Sequence, residues 1–260
     1  SKPSFFFKFM KLILPKIAPG PLIAHRGCSL QAPENSLAAY RLAAKYGFSW
    51  IETDVQLTRD GKAVMLHDHY VDRTTNGKGL VCEYLFKDLQ KLDASAGING
   101  FSRTPIPTLE QTIRLCLELD LGLILELKPI SGTDIEIAEH IIPIVDALWP
   151  KDNDKLIVSS FSVALLVFKE KAPWISTAHA AEYIVENPDK YMEILGVDSF
   201  HFNYQYASQK KIKRLKDAGA HTALATVNDG TLAKQLLSLG VDGVMTDHSD
   251  LFNETPTKNY

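Results

Sequence analysis

The sequence predicts an α/β protein of the TIM (β/α)8 barrel class, on three observations. Eight short apolar segments of strand character alternate with longer segments, most of which have helical periodicity. Strands separated by helices pair in parallel through right-handed crossovers. Eight such units in roughly 230 residues, with no glycine-rich phosphate loop after the first strand, favour a closed barrel over an open doubly wound sheet.

The helical segments between the strands are recognised by apolar residues at positions i, i+3 and i+4, the spacing of one helix face. "NSLAAYRLAAKYG" after the first strand and "AEYIVENPDKYMEILG" at residues 181–196 both close on glycine, as a helix C-cap does. The strands are expected at residues 21–25, 50–57, 122–128, 155–161, 175–180, 198–202, 221–227 and 242–247.

The repeat is interrupted between the second and third predicted strands. Residues 58–68, "TRDGKAVMLHD", contain an Asp-Gly turn between alternating residues, which indicates a hairpin. Residues 69–107 are rich in Gly, Thr, Asp, Asn and Pro, and a long insertion at this side of a barrel commonly forms a lid or a pocket wall. We therefore expect this insertion to form a small cap over the strand ends.

Two terminal segments lie outside the predicted barrel, which we place at residues 21–252. Residues 1–20 combine phenylalanines with interleaved lysines and are expected either to pack on the barrel floor or to lie at a membrane interface. Membrane association would involve residues 1–16 only, and no small-residue cleavage site follows to suggest a signal peptide. Residues 253–260 are expected to form a tail.

Composition limits the classes of partner. The 260 residues are 45% hydrophobic, and 28 basic and 31 acidic residues give a formal charge of −3. This balance argues against nucleic-acid binding, and no apolar stretch has the length of a transmembrane helix. The cysteines form neither a metal-binding nor a disulfide pattern, which favours free thiols in a reducing, cytoplasmic environment. They are Cys28, Cys82 and Cys116.

The active face of a (β/α)8 barrel is formed by the C-terminal ends of its strands. Residues two apart in a strand face the same side, so a Glu-x-Asp pair in the second strand and a Glu-x-Lys pair in the third each present both side chains together. A His-Arg pair ends the first strand, and a His-Asp pair closes the hairpin. The candidate site residues are His25, Arg26, Glu52, Asp54, His67, Glu126 and Lys128.

Three of these candidates are carboxylates from two neighbouring strands. A buried, ionised carboxylate is strongly destabilising unless its charge is compensated. An all-oxygen ligand set without cysteine suits Mg²⁺ or Ca²⁺ rather than zinc, so we expect Glu52, Asp54 and Glu126 to bind one divalent cation. The alternative is an ion-pair network with Arg26 and Lys128, which leaves two histidines at the same rim without a role.

Two histidines beside a metal suit phosphoryl transfer, in which one accepts a proton from the nucleophile and the other protonates the leaving alkoxide. His25 and His67 are the candidates for these roles. Arg26 and Lys128 can bind the non-bridging phosphate oxygens. Other reactive side chains are expected to be structural, namely Cys28, His140 and His221.

The motifs "AHRG", "PENS", "ETDVQLTRDG", "VMLHD", "LELK", "SSF" and "DGVMTD" resemble, in order over roughly residues 22–251, those of glycerophosphodiester phosphodiesterases of the bacterial, cytosolic type. The resemblance implies that His25 and His67 act as general acid and base. It also implies that the three carboxylates bind the metal and that Arg26 and Lys128 contact phosphate.

The implied activity is metal-dependent hydrolysis of glycerophosphocholine, glycerophosphoethanolamine and similar diesters to sn-glycerol 3-phosphate and an alcohol. The first nucleophile is either water or the neighbouring glycerol hydroxyl. Two other functions fit the motifs: a lysophospholipase D-like phosphodiesterase for long-chain lipids, and a barrel that binds glycerophosphodiesters without catalysis. One departure is Ala225, where the family often has tryptophan before its Thr-Val-Asn, which concerns the shape of the alcohol pocket rather than the chemistry.

Overall fold

The chain folds into a closed barrel of eight parallel strands surrounded by helices. The computed structural model describes residues 21–95, 98 and 100–251. The first strand pairs with both the second and the last strand of the barrel, and this double pairing closes the sheet. The predicted (β/α)8 barrel with an insertion after its second strand is confirmed.

The strands of the described residues are β1 (Leu22–His25), β2 (Trp50–Leu57), β3 (Ala63–Met65), β4 (Gly122–Leu127), β5 (Leu156–Ser160), β6 (Ser176–Ala181), β7 (Ser199–Asn203), β8 (His221–Ala225) and β9 (Gly243–Thr246). All of these except β3 form the barrel, in chain order. Strand β3 pairs antiparallel with the end of β2 and makes the predicted hairpin.

The helices cover the outside of the barrel, apart from a short one in the insertion. They are α1 (Leu37–Lys45), α2 (Phe86–Leu89), α3 (Leu109–Glu118), α4 (Asp134–Leu148), α5 (Ala164–Lys171), α6 (Pro188–Leu195), α7 (Gln209–Asp217) and α8 (Gly230–Ser238). Two single-turn 3₁₀ helices lie at Val81–Glu83 and Tyr204–Tyr206.

Alternation along the strands divides their side chains between two apolar layers. Outward residues such as Ile51, Val158 and Phe200 pack beneath the helices. Inward residues fill the barrel itself, and they are Ile23, Trp50, Ile124, Ile157, Ala178, Ala223 and Met245. This inner layer forms the floor on which the polar residues of the strand ends rest.

Side-chain caps fix where several helices begin. Ser36 accepts a hydrogen bond from the Ala39 N–H at the start of α1. Thr108 and Gln111 cap each other's backbone N–H at the start of α3, forming a capping box. Caps of this kind stabilise a helix by about 1 kcal/mol each. They also set the length of the preceding loops, which lie at the C-terminal face of the barrel.

The insertion after the hairpin has an apolar core of its own. Two of the core residues belong to the hairpin region, so the insertion is anchored beside the end of β2 rather than on a separate domain. The insertion also contacts the loop after β1, because Arg73 pairs with Glu34. The core residues are Val64, Leu66, Val71, Val81, Leu89 and Ile106.

The segment after β6 differs from the prediction of a helical segment over residues 181–196. Helix α6 begins only at Pro188. Proline lacks a backbone N–H and disfavours helical geometry in the residue before it, so it begins a helix more readily than it continues one. Residues 182–187 therefore form a loop at the mouth of the barrel.

The predictions for the termini concern residues 1–20 and 253–260, which lie outside the described residues. The barrel boundaries at 21 and 252 therefore stay a prediction. Among the described residues, no helix combines the length and the apolar character needed to cross a membrane.

The barrel floor leaves no room for a side chain at Gly122. A Cβ there would lie 2.3 Å from Cδ2 of Trp50, its neighbour across the β2–β4 pairing. We expect Gly122→Ala to lower the free energy of unfolding by about 1–3 kcal/mol, as overpacking of a core does. Urea denaturation measures this change. With Trp50→Leu added, the loss should be smaller than the sum of the two single losses; strict additivity would contradict the steric explanation.

Candidate active site

The three predicted metal-binding carboxylates converge at the C-terminal end of the barrel. Glu52 and Asp54 lie on β2, and Glu126 lies directly opposite Asp54 on β4. One oxygen from each carboxylate lies within 4.8 Å of the others. Their side chains are 3%, 1% and 15% exposed, respectively, so they repel one another with little screening by water.

The pKa shifts of these three carboxyl groups indicate negative charge that is not fully compensated. Burial, followed by the charges of Asp54 and Glu126, raises the pKa of Glu52 well above its usual value. Burial also raises the pKa of Glu126, with Asp54 adding to the shift. Burial alone would raise the pKa of Asp54, but the charge of Lys128 and its other basic neighbours holds this pKa below its usual value.

Basic side chains supply part of that charge. Lys128 Nζ lies 2.5 Å from Glu126 Oε1 and 3.6 Å from Asp54 Oδ1. Arg26 Nε lies 3.6 Å from Asp54 Oδ2, but the same guanidinium also pairs with Glu34. The ion pairs of the alternative prediction therefore exist, although two basic groups face more carboxylates than they can neutralise.

The donor set fits a hard divalent cation. Asp54 Oδ1 is buried and accepts no hydrogen bond, which is an orphaned acceptor of the kind a cation satisfies. All three convergent groups are carboxylates, and neither cysteine nor histidine belongs to the cluster. Oxygen ligands of this type match Mg²⁺ or Ca²⁺.

His25 is held at the rim of the cluster by a carboxylate that sequence reasoning did not identify. Its Nδ1 lies 2.7 Å from Asp247 Oδ1, and its Nε2 lies 3.8 Å from Glu52 Oε2. Burial would raise the pKa of Asp247, but hydrogen bonds from His25, Asn228 and Ser29 lower it to about 2. The ionised carboxylate can only accept, so Nδ1 carries the proton and Nε2 faces the carboxylate cluster.

His67, on the segment that follows the hairpin, has an equivalent arrangement. Its Nδ1 lies 2.8 Å from Asp68 Oδ1. Arg73 donates two hydrogen bonds to Asp68, and these are the main cause of a strongly lowered pKa of that carboxyl. Burial lowers the pKa of His67 below its usual value, so its ring is neutral near pH 7. Both histidines thus use Nδ1 for a carboxylate and keep Nε2 available.

The loop after β1 directs polar groups at the carboxylates. The Arg26 N–H donates to Glu52 Oε2 at 3.2 Å. Asn35 donates from its amide to Asp54 Oδ2 at 3.0 Å, and its own oxygen accepts from Thr53 and from the Asp54 N–H. Asn35 therefore fixes the orientation of Asp54.

Five residues that shape the site were not assigned from the sequence. Asn35 and Glu34 lie in the "PENS" motif and Asp247 ends "DGVMTD", so the motifs themselves were the available signal. Arg73 lies in none of these motifs, and one of its two partners, Glu34, is 39 residues away along the chain. The five residues are Glu34, Asn35, Asp68, Arg73 and Asp247.

The residues expected to be structural lie away from this cluster. His140 donates from its Nδ1 to the Glu136 carbonyl within α4, at 2.8 Å. His221 lies 3.6 Å from Asp242 at the start of β8. Cys28 is buried, and burial raises its thiol pKa to about 12, which argues against a nucleophilic thiolate.

A cavity of about 480 Å³ adjoins the site at Lys128. It lies between the hairpin turn, the insertion and the start of α4, and its walls combine apolar residues such as Ile130 with polar groups such as Gln56 and Thr133. The cavity is large enough for a small organic ligand next to the carboxylate cluster.

These parts define a class of protein. A (β/α)8 barrel with two carboxylate-partnered histidines, a buried carboxylate cluster and two basic side chains at its strand ends has the groups that hydrolysis of a phosphate ester requires.

Comparison with known proteins gives the family. The model of the glycerophosphoryl diester phosphodiesterase family matches residues 25–251. A glycerophosphodiester phosphodiesterase of Bacillus altitudinis is 32% identical over 234 residues, covering 88% of this chain and 95% of its own. The solved structure of an Oleispira antarctica phosphodiesterase in complex with the product sn-glycerol-3-phosphate is 35% identical, with a TM-score of 0.85 and coverage of 89% of this chain and 94% of its own.

The chain belongs to the glycerophosphoryl diester phosphodiesterase family. It is a hydrolase of that family, and the resemblance seen in its motifs is confirmed.

Cation binding should be visible in thermal stability. We expect Mg²⁺ or Ca²⁺ to raise the Tm, because a ligand of the folded state stabilises it by about 2.7 kcal/mol at about 100 times its Kd. The shift should shrink as pH falls, because burial and neighbouring carboxylates raise the pKa values of Glu52 and Glu126 and protons then compete with the cation.

Circular dichroism melts in EDTA, and again with each cation, measure this shift. Asp54→Asn should abolish it, whereas Asp152→Asn, which removes an exposed carboxylate from the loop before β5, should keep it. An equal shift in both variants would contradict the assignment of the site.

Proposed function

We propose that this chain hydrolyses glycerophosphodiesters, such as glycerophosphocholine and glycerophosphoethanolamine, to sn-glycerol 3-phosphate and an alcohol. The observation that carries the proposal is the convergence of three buried carboxylates with two histidines whose Nδ1 atoms are held by carboxylates. The relative from Oleispira antarctica, described in complex with sn-glycerol-3-phosphate, supports the same product.

The proposal includes one divalent cation, Mg²⁺ or Ca²⁺, held by Glu52, Asp54 and Glu126. When bound, such a cation supplies Lewis-acid stabilisation of the negative charge that develops on phosphate oxygens. Arg26 and Lys128 lie at the same edge of the cluster and bind the non-bridging oxygens of the phosphate. Together these groups orient the diester at the strand ends.

His25 and His67 act as the acid and base pair. One imidazole accepts the proton of the nucleophile as the new P–O bond forms. The bond from phosphorus to the leaving alcohol breaks, and the other imidazole gives that oxygen its proton. Water as the nucleophile gives sn-glycerol 3-phosphate directly, whereas the neighbouring glycerol hydroxyl gives a cyclic phosphate that water then hydrolyses with the same acid and base pair. His67, neutral near pH 7 because burial lowers its pKa, is suited to accept a proton at its Nε2.

The proposal also retains the domain boundaries and the compartment predicted from the sequence. Residues 21–252 form the catalytic barrel, flanked by residues 1–20 and 253–260. All three cysteines are free thiols, two of them buried, which supports a reducing, cytoplasmic environment.

Release of glycerol 3-phosphate is the direct test of the activity. Purified protein is assayed with glycerophosphocholine and, separately, with a lysophospholipid, first in EDTA and then with Mg²⁺ or Ca²⁺ restored. With the lysophospholipid the released head-group alcohol is measured, because the acyl chain stays on the phosphate product. We expect cation-dependent release from glycerophosphocholine. Hydrolysis of the lysophospholipid alone would favour a lysophospholipase D, and the absence of hydrolysis with either substrate would contradict the proposed activity.

The two histidines are tested by single substitutions. We expect His25→Ala and His67→Ala each to lower kcat by about 100-fold or more, because each removes a proton-transfer group. Cation binding should survive in both variants, since neither residue is proposed as a ligand. Stopped assays with glycerophosphocholine give kcat, and the thermal shift with cation reports binding.

A substrate with p-nitrophenolate as its leaving group assigns the two roles. The variant that lacks the general acid should recover much of its rate with this substrate, because a good leaving group needs no proton, whereas the variant that lacks the base should not. Near wild-type kcat for either alanine variant on glycerophosphocholine would rule out the acid and base pair.

Asp247 is proposed to orient His25. We expect Asp247→Ala to lower kcat by about 10- to 100-fold with little change in KM, since loss of a carboxylate that fixes a catalytic ring typically has an effect of this size. Asp247→Asn, which can still accept from Nδ1, should lose less. Steady-state kinetics check both variants, and a rise in KM at unchanged kcat would contradict the positioning role.

A further inference from the structure

The mouth of the barrel has a second polar wall, opposite the carboxylate cluster. Every second side chain of a strand faces the barrel interior. Ala178 of β6 faces inward, so Glu182, four residues later and just past the strand end, also faces inward. In β7 the outward residues Phe200 and Phe202 pack beneath the helices, which places Asn203 inward as well. Glu182 and Asn203 meet there, with Asn203 donating to Glu182 Oε1 at 2.8 Å.

Glu182 is an exposed carboxylate with a neutral partner. Its hydrogen bond comes from the amide of Asn203, and among the described residues no basic side chain forms an ion pair with it. By contrast, each carboxylate on the opposite wall has Arg26, Lys128 or a histidine within 4 Å. The negative charge of Glu182 is therefore available to a cationic ligand.

Three aromatic side chains follow the ends of β5, β6 and β7, the strands of this wall. Phe161 continues the inward alternation of β5 and is 58% exposed, and its ring centroid lies 5.6 Å from Lys128 Nζ. Tyr183 is 63% exposed, and its ring centroid lies 4.3 Å from that of Tyr206. Glu182 directly precedes Tyr183 in the chain, and its partner Asn203 lies three residues before Tyr206, so the carboxylate adjoins this pair. The hydrogen bond between the two tyrosines, together with the charge of Glu182, raises the pKa of Tyr206.

We propose that Phe161, Glu182, Tyr183 and Tyr206 form a subsite for the positively charged alcohol of the substrate, a primary or quaternary ammonium group. Aromatic faces attract such cations through their quadrupole, most strongly when a carboxylate neutralises the charge nearby. This inference rests on the proposed function and assigns the residues that favour a cationic alcohol over a neutral one.

The spacing of the strands suits this class of substrate. Lys128, Phe161 and Glu182 follow three consecutive barrel strands, β4, β5 and β6. Neighbouring strands lie about 4.8 Å apart and Glu182 lies two residues beyond the position level with Lys128, so their Cα atoms are about 12 Å apart. A phosphate in contact with Lys128, a two-carbon link and an ammonium group in contact with Glu182 together span a distance of this order.

The glycerol arm of the diester can occupy a different part of the site. The cavity of about 480 Å³ lies on the opposite side of Lys128, towards the hairpin, and it offers polar partners such as Gln56 and Thr133. With the glycerol arm bound there, the alcohol that leaves points towards the aromatic wall. When the neighbouring glycerol hydroxyl is the nucleophile, in-line displacement at phosphorus places it opposite the leaving oxygen, which agrees with this division.

The test compares two substrates that differ in the charge of the alcohol, glycerophosphocholine and glycerophosphoglycerol. For Glu182→Gln, which keeps an acceptor for Asn203, we expect the ratio of kcat/KM for the cationic over the neutral substrate to fall about tenfold. Tyr183→Leu should lower the same ratio. The matched control is Glu193→Gln, which removes an exposed carboxylate of α6 that pairs with Lys190 and should leave the ratio unchanged.

Direct binding separates this inference from the proposed activity. Choline binding, titrated by calorimetry, should weaken about tenfold in Glu182→Gln and remain in Glu193→Gln. If the wild type hydrolyses neither substrate, the proposed activity fails while the choline titration still decides the subsite. An unchanged substrate ratio together with equal choline affinity in Glu182→Gln and the wild type would overturn the subsite and leave the proposed activity intact.

Discussion

Mutual repulsion among Glu52, Asp54 and Glu126 is the constraint around which the catalytic end of the barrel is arranged. The parallel pairing of β2 with β4 forces Asp54 and Glu126 side by side in a region with little water. The loop after β1 reduces this repulsion by placing hydrogen-bond donors beside the carboxylates. Arg26 and Asn35 both adopt positive φ angles, 57° and 55°, a conformation that is unfavourable for arginine and better tolerated by asparagine. That backbone directs an N–H and an amide at the carboxylates.

A chain of ion pairs links the insertion to the loop after β1, which contacts the carboxylate cluster. His67 contacts Asp68, Arg73 joins Asp68 to Glu34, and Glu34 pairs with Arg26. Exposed ion pairs are individually weak, but Arg73 makes two hydrogen bonds to each of its two carboxylates, and such bidentate geometry is more specific than a point contact. The position of His67 therefore depends on contacts from the first loop as well as on its own hairpin.

The two walls of the barrel mouth carry different kinds of side chain, and the proposed chemistry uses both. The wall formed by β1, β2 and β4 concentrates the groups that handle the phosphate, whereas the wall formed by β5, β6 and β7 offers aromatic rings and the carboxylate of Glu182. A zwitterionic ester matches this division, with its negative end at one wall and its positive end at the other. At β8, Ala225 stands where the family often has tryptophan.

The sequence alone determined the fold class, because helix and strand periodicity are local. It also determined the seven candidate residues, because a parallel barrel places its functional side chains at the C-terminal ends of its strands. Glu52, Asp54 and Glu126 followed from that rule and do converge. The start of α6 at Pro188 was also a local signal, hidden by an apolar pattern that suggested a longer helical segment. Only the tertiary structure decided the partner of His25. Asp247 reaches His25 across 222 residues because closure of the barrel sets β9 beside β1, and a contact over that separation leaves no periodicity in the sequence.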